Sequence, residues 1–265
     1  MGLRDQLAGK IPSGLLPHVS DHFEVIGDVA VLGVPAELEP YKQALAQAIV
    51  SRRKNIATVL AKTEKITGES RTAAYEVLLG NATTTVHRES GFSYRIDVGS
   101  SFFSSRMASE RKRVTDQVKP GETVYVPFAG VGPFAIPAAA RGAVVWAVEK
   151  NPDAFRWLGE NIALNRVVEN CHIRVGDALD TSSLPQAFDR LIIPAPYGMD
   201  SALGRMLPLL ADGGMAHFYT FKTKEQVPGL IAAYENAGLE VAYYSPCGNV
   251  APGISRFVFD LVRPR

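Results

Sequence analysis

The sequence predicts a doubly wound α/β sheet preceded by a smaller α+β domain. Beyond Thr123, strand-like apolar runs alternate with helix-like runs across short connections, the pattern of a mainly parallel sheet. Before Ser101, β-branched and aromatic runs are broken by Gly-Asp, Gly-Asn and Ser-Gly pairs, which read as turns between strands. The 265 residues, 46% hydrophobic and 21% charged, suffice for one large or two modest domains with real cores.

Residues 1–20 read as an N-terminal arm with a short helix limited by Pro12 and Pro17. Residues 21–100 read as the α+β domain. His22–Pro35 is a strand pair turning at Gly27-Asp28, and Leu38–Arg53 has helical spacing and a basic end that suits the helix dipole. Asn55–Thr63 is a further strand, and Ala74–Val98 two or three antiparallel strands with turns at Gly80-Asn81 and Ser90-Gly91. Residues 101–265 form the second domain, opened by a connecting helix within 101–120 that Pro120-Gly121 closes. Strands are expected at Thr123–Ala129, Ala143–Lys150, Cys171–Ala178, Phe188–Pro196, Met215–Lys222, Leu239–Gly248 and Ile254–Val262. Helices are expected at Gly132–Gly142, Pro152–Arg166, Ser201–Gly214 and Lys224–Gly238. Ending on two strands after a helix is the pattern of class I methyltransferase sheets, whose last strand runs antiparallel.

No run approaches the ~18 apolar residues of a membrane span, and the polar N-terminus lacks the apolar core of a signal peptide. Cytoplasm is the default compartment. Cys171 and Cys247 offer neither a disulfide framework nor a zinc spacing, and buried thiols are the expectation. Net charge is only +1, yet Lys42–Arg113 holds 13 Lys or Arg against 6 Asp or Glu. Such an excess can track a phosphate backbone or be solvated helix faces.

In such sheets ligands sit at the carboxyl ends of the strands, near the switch point. The first strand-to-helix turn is Ala129-Gly130-Val131-Gly132-Pro133, whose glycines let a ligand approach bare backbone; alone it could be only a tight turn. Glu149 ends the second strand, where a carboxylate can accept both hydroxyls of a ribose, or be an ordinary strand-end acid. Asp177, after Gly176, ends the third, where it can accept from an adenine amine or cap a helix. Jointly they favour an adenosyl ligand, most naturally S-adenosyl-L-methionine, over NAD. After the fourth strand, Pro194-Ala195-Pro196-Tyr197 is stiff and aromatic, suited to hold and stack a flat base, or to be a rigid loop with a core tyrosine.

Several segments resemble the archaeal and eukaryotic tRNA guanine-37 N1-methyltransferases: "FFSSRMASERKRV", "PFAGVGPFAIP", "ENIALNRV", "GGMAHFYTF" and "NVAPGISRFVFDL", with "VIGDVAVL", "GESRT" and "TTTVHRESG" upstream. The resemblance spans about residues 22–263. The close sister family transfers the 3-amino-3-carboxypropyl group of S-adenosylmethionine to a wyosine precursor at the same tRNA position. "GVGPF" and "HFYTF" look like the methyltransferases; "AVEKNP" and "YEVLLGNATTTVHRESG" look like the sister branch. Val126 stands where the family has an acid, Phe102-Phe103-Ser104-Ser105 lacks its tyrosine, and Pro194 replaces a frequent Asn.

The resemblance implies tRNA modification at guanosine 37, most naturally N1-methylation, with aminocarboxypropyl transfer or a non-catalytic RNA-binding relative as alternatives. It implies Glu110 as general base and Arg71 as the donor to O6, with Pro194 and Pro196 bordering the reacting group. Without it, Glu110 reads as a first-turn carboxylate paired with Arg113, and Arg71 as a surface arginine. Cofactor contacts are expected from Phe128, Ala129, Gly130, Val131, Gly132, Glu149, Lys150, Asn151, Asp177, Ala178 and Pro194, and RNA contacts from Arg52, Arg53, Lys54, Arg106, Arg111, Lys112, Arg113 and Tyr197. His87 could touch RNA or be structural. No metal is required, and a monomer is expected.

Overall fold

The structure is a computed structural model that describes residues 2–63 and 74–265. It divides into two compact units, residues 1–105 and 106–265.

In the first unit, α1 (Leu3–Leu7) is followed by a 3-10 turn around Pro17. Leu3, Leu7, Ile11 and Val19 are buried in the same core as Leu45, Ile49 and Val59, so this segment is part of the packing. A four-stranded sheet runs in the order β1 (Glu24–Ile26), β2 (Val29–Gly33), β3 (Thr58–Lys62), β4 (Tyr75–Leu79). The β1–β2 and β3–β4 pairs are antiparallel and β2–β3 parallel, with α2 (Lys42–Arg52) as the crossover. Gly27 turns β1 into β2 at φ 58°, and a Cβ there would lie 2.0 Å from Thr85 Oγ1, so only glycine fits. β5 (Thr84–Glu89) and β6 (Phe92–Asp97) pair with each other through the Ser90-Gly91 turn, whereas β4 pairs back onto β3. His87 accepts a hydrogen bond from Gly27 N through Nδ1 at 3.2 Å, a structural role that ties this hairpin to the first.

The second unit opens with α3 (Ala108–Thr115) and then builds a seven-stranded sheet. Its strands are β7 (Thr123–Pro127), β8 (Val144–Glu149), β9 (Cys171–Val175), β10 (Phe188–Ile193), β11 (Leu210–Lys222), β12 (Glu240–Ala251) and β13 (Ile254–Val262). The order is β12-β13-β11-β10-β7-β8-β9. β9, β8, β7, β10 and β11 are mutually parallel, and β13 is antiparallel to both β11 and β12. The central strands β7 and β10 are buried over nearly their whole length, β10 with the charged Arg190 among its buried residues. The order reverses at β7, so the switch point lies at its carboxyl end.

The helices are α4 (Ala135–Ala140), α5 (Pro152–Leu164), α6 (Ala202–Met206) and α7 (Val227–Asn236). The helix expected over Ser201–Gly214 stops at Met206. Pro208 has no N–H for a further helical turn, and Leu210 instead pairs with Phe188 to start β11. Gly213, at φ 75°, lets that strand bend before Met215. Among the described residues no helix is long and apolar enough to cross a membrane.

Candidate active site

The turn after β7 is tightly specified. Phe128 and Gly130 adopt φ of 53° and 56°, and Gly132 of 96°. A Cβ on Gly132 would lie 2.8 Å from Ile136 Cδ1 and 2.9 Å from Leu158 Cδ1, so α4 and α5 pack directly onto that backbone. Ala129 N donates to Val148 O at 3.0 Å, fastening the turn to β8. From α5, the wholly buried Asn161 donates Nδ2–H to Val131 O at 3.0 Å.

Glu149 is half-buried and fixed, not an ordinary strand-end acid. Oε2 accepts from Gly130 N at 2.7 Å and Oε1 from Asn151 N at 2.8 Å. A carboxylate has about four acceptor sites, so each oxygen keeps one for a ligand hydroxyl. Asn151 is buried and caps α5, its Oδ1 accepting from Asp153 N and Ala154 N, while Lys150 is exposed beside it. Gly176 N donates to Glu149 O at 2.9 Å, which sets the end of β9 beside the end of β8. Asp177 is exposed and accepts from Leu179 N at 2.9 Å; no helix follows, so it closes a turn rather than capping one. The buried Tyr125 hydroxyl of β7 donates to Ala178 O at 2.8 Å and anchors that loop. Burial pushes the Tyr125 phenol far up, so it stays a donor.

At the end of β10, Pro194 and Pro196 are half-buried around a buried Ala195, and Met199 N donates to Pro196 O to close the segment. Tyr197 is 62% exposed, 5.3 Å from the Phe221 ring, so it is a surface aromatic and not a core one.

Glu110 lies in the first turn of α3. Oε2 accepts from Arg113 Nε at 2.9 Å, and Oε1 from Arg113 Nη2 at 2.8 Å and the Tyr219 hydroxyl at 2.9 Å. Pairing with Arg113 is therefore present, together with a partner on β11 that spacing does not disclose. Tyr219 is buried, its ring 5.6 Å from Phe134 at the start of α4. Desolvation, then the charge of Glu110, raises its phenol well above the usual range. Ile193 pairs with Phe218, so Tyr219 stands level with Pro194 at the carboxyl end of the sheet. The site thus gathers the Gly130–Gly132 turn, Glu149, Asp177, Pro194 and the Glu110–Tyr219 pair along one edge.

Other expected positions fall elsewhere. Arg71 lies outside the described residues. Arg52, Arg53 and Lys54 are exposed in the first unit, Arg52 paired with Asp21 at 3.2 Å. Arg106 and Lys112 are exposed, Lys112 paired with Asp116 at 2.5 Å. Two expected phosphate contacts are corrected. Arg111 is 4% exposed, and Arg113 is committed to two carboxylates, so neither guanidinium is presented to an RNA backbone here. Among the described residues no His, Cys, Asp and Glu cluster could hold a metal ion. Burial pushes both Cys171 and Cys247 thiols up to about 12.

A doubly wound sheet with an antiparallel final strand, a glycine turn after its first strand and acids after its second and third defines a class I methyltransferase fold. The comparisons narrow the class. Residues 85–235 match the family profile described as the TRM5/TYW2 methyltransferase domain, and residues 3–84 that of the TYW2 N-terminal domain. The chain belongs to the TRM5/TYW2 methyltransferase family.

It is 37% identical over 212 residues to the tRNA (guanine(37)-N(1))-methyltransferase Trm5b of Pyrococcus abyssi, covering 80% of this chain and 63% of that protein. It is 34% identical over 227 residues to the tRNA(Phe) (4-demethylwyosine(37)-C(7)) aminocarboxypropyltransferase of Pyrococcus horikoshii, covering 85% of this chain and 81% of that protein. It spans 35% of the length of a tRNA (guanine(37)-N(1))-methyltransferase of Fusarium vanettenii. Among solved structures it is similar to Trm5b of Pyrococcus abyssi, with a TM-score of 0.87 and 32% identity over 96% of this chain and 79% of that one. It is also similar to Pyrococcus horikoshii TYW2 in complex with MeSAdo, with a TM-score of 0.79 and 29% identity over 98% and 97%.

Proposed function

We propose that this chain is an S-adenosylmethionine-dependent tRNA-modifying enzyme that methylates N1 of guanosine 37. The observation that carries the reading is the joint placement, at one sheet edge, of a glycine cradle, a fixed carboxylate with open acceptor sites and a second carboxylate partnered by a buried tyrosine. The residues fit the cofactor: Gly130 leaves the turn without a side chain, Gly132 lets α4 and α5 pack close beneath it, Glu149 suits a ribose and Asp177 an adenine amine. Phe128, Ala129, Val131, Lys150, Asn151, Ala178 and Pro194 complete the expected contacts.

When bound, S-adenosylmethionine supplies an electrophilic methyl group on a sulfonium. Guanine N1 bears a proton and is a poor nucleophile while it holds it, so a base must take that proton as the bond to carbon forms. Glu110 is that base, with Tyr219 and Arg113 fixing its carboxylate. As the proton leaves, charge grows on O6, and Arg71 is proposed as the donor there on the family resemblance. Pro194 and Pro196 hold the loop that borders the methyl group, and Tyr197 offers its exposed face for stacking. The first unit supplies phosphate contacts through Arg52, Arg53 and Lys54, with Arg106 and Lys112 in the second. The partner is tRNA and the place of work the cytoplasm.

Aminocarboxypropyl transfer to a wyosine precursor is the second reading. The match of residues 3–84 to the TYW2 N-terminal domain favours it. Products separate the two: methyl transfer releases S-adenosylhomocysteine, whereas aminocarboxypropyl transfer releases methylthioadenosine. Detecting only the latter, on precursor-bearing tRNA, would replace the first reading with the second.

A further inference from the structure

We infer that a largely buried series of charges, Glu122–Arg190–His217–Asp260, is a positioning device that sets Asp260 against the second edge of Arg113, so that the guanidinium charge is shared and Glu110 stays able to serve as the base. The inference rests on the reading of Glu110 as the base.

The series runs across the sheet, from Glu122 just before β7 through Arg190 of β10 and His217 of β11 to Asp260 of β13. Glu122 accepts from Arg190 Nε at 2.8 Å and Nη2 at 3.0 Å. Arg190 Nη1 lies 2.7 Å from His217 Nε2, and His217 Nδ1 lies 2.7 Å from Asp260 Oδ1. An arginine can only donate, so Nε2 must accept and Nδ1–H must donate to Asp260. The tautomer is fixed by both neighbours. Asp260 then accepts from Arg113 Nη1 at 2.6 Å and Nη2 at 3.0 Å, opposite the pair of bonds that Arg113 gives Glu110. The Tyr243 ring covers that guanidinium at 4.4 Å. Arg190, His217 and Asp260 are all at most 5% exposed.

Burial lowers the His217 imidazole, with the Arg190 and Arg113 charges adding to that and Asp260 opposing it, so the ring is neutral. Burial alone would raise Asp260, but the His217 and Arg113 hydrogen bonds hold it well below the usual carboxylate range, so it is ionised.

An arginine fork given wholly to one carboxylate stabilises its anion and makes it a weak base. Here Glu110 takes the Nε–Nη2 edge and Asp260 the Nη1–Nη2 edge, so one guanidinium charge is shared between two carboxylates. The series with Arg113 and Glu110 holds the anions Glu122, Asp260 and Glu110 against the cations Arg190 and Arg113, a net charge of −1. Three of the roughly four acceptor sites on Glu110 are filled by Arg113 and Tyr219, which leaves about one for the substrate proton. The other titratable or charged groups facing this pair are Tyr219 and His217 from β11, Tyr243 and Cys247 from β12, the latter beside Arg256, and Asp260 from β13.

The test is the single-turnover rate of methyl transfer to unmodified tRNA bearing guanosine 37, followed over about pH 5 to 9. Asp260→Asn removes the second carboxylate that shares the Arg113 charge with Glu110. The expected result is a plateau rate about tenfold lower or more, with the acid limb moved to lower pH and cofactor affinity unchanged. An unaltered profile, or a lower plateau with the limb in place, overturns the inference. Should that variant fail to fold, Arg113→Gln/Asp260→Asn, which removes one cation and one anion together and keeps the net charge at −1, is compared with Arg113→Gln alone. Their limbs should coincide, because Asp260 acts only through Arg113; a separate shift overturns the inference. Glu110→Gln runs in parallel. If it keeps the wild-type rate, the base assignment itself fails; if it is inactive while Asp260→Asn matches wild type, only the present inference fails.

Discussion

Single residues set the cofactor end of the site through backbone geometry and fixed acceptors. Gly132 sits at φ 96° with Ile136 and Leu158 where a Cβ would be. Gly132→Ala should therefore cost about 1–3 kcal/mol of stability, read as a lowered Tm, and abolish measurable S-adenosylmethionine binding in calorimetry. Retained binding with an unchanged Tm would show that the turn yields. Glu149 differs, because its two bonds to Gly130 N and Asn151 N leave acceptor sites open. Glu149→Gln turns one acceptor into a donor facing a backbone N–H. It should weaken cofactor binding by about tenfold or more, or about 1.4 kcal/mol. Equal affinity would remove Glu149 from the ribose contact.

At the scale of elements, the site depends on α5 and β11 reaching back to other segments. Asn161 of α5 holds Val131 O from thirty residues away. Asn161→Ala leaves that buried carbonyl unpaired and should cost about 1–3 kcal/mol, seen as a lower denaturation midpoint, with cofactor affinity falling in parallel. The placement of the glycine turn, Glu149 and Asp177 at three strand ends was legible in the sequence, because each follows an apolar run that announces its strand. Tyr219, His217 and Asp260 were not assigned roles, because their partners are remote in the chain: Asp260 meets Arg113 at a separation of 147 residues. No local spacing encodes such a pairing. The same limit governed Arg111 and Arg113, which read as basic surface from a charged run and are held inward by burial or paired acids. Likewise the helix expected over Ser201–Gly214 lost its second half to a strand register that only the neighbouring β10 specifies. The β4 pairing was hidden for the same reason, since it returns to β3.

At the scale of the whole molecule, the buried charge series makes the fold sensitive to acid. His217 has a lowered folded-state value, so below about pH 6.5 the unfolded chain takes up a proton that the folded chain refuses, and stability falls with pH. Asp260 is likewise depressed, so its contribution is complete above about pH 4 and is lost as pH falls further. Melting curves taken from neutral pH downward should show Tm beginning to drop below about pH 6.5, and a flat Tm down to about pH 4 would contradict neutral burial of His217. The family places the chain on a scaffold that serves methyl and aminocarboxypropyl transfer to tRNA in its relatives. The most direct test of the methyl reading is mass spectrometry of nucleosides from unmodified tRNA bearing guanosine 37, after incubation with the protein and S-adenosylmethionine. The account predicts one methyl group on N1 of that guanosine with the wild-type chain and none with Glu110→Gln. An unmodified guanosine 37 with the wild-type chain, or equal methylation by both proteins, would contradict it.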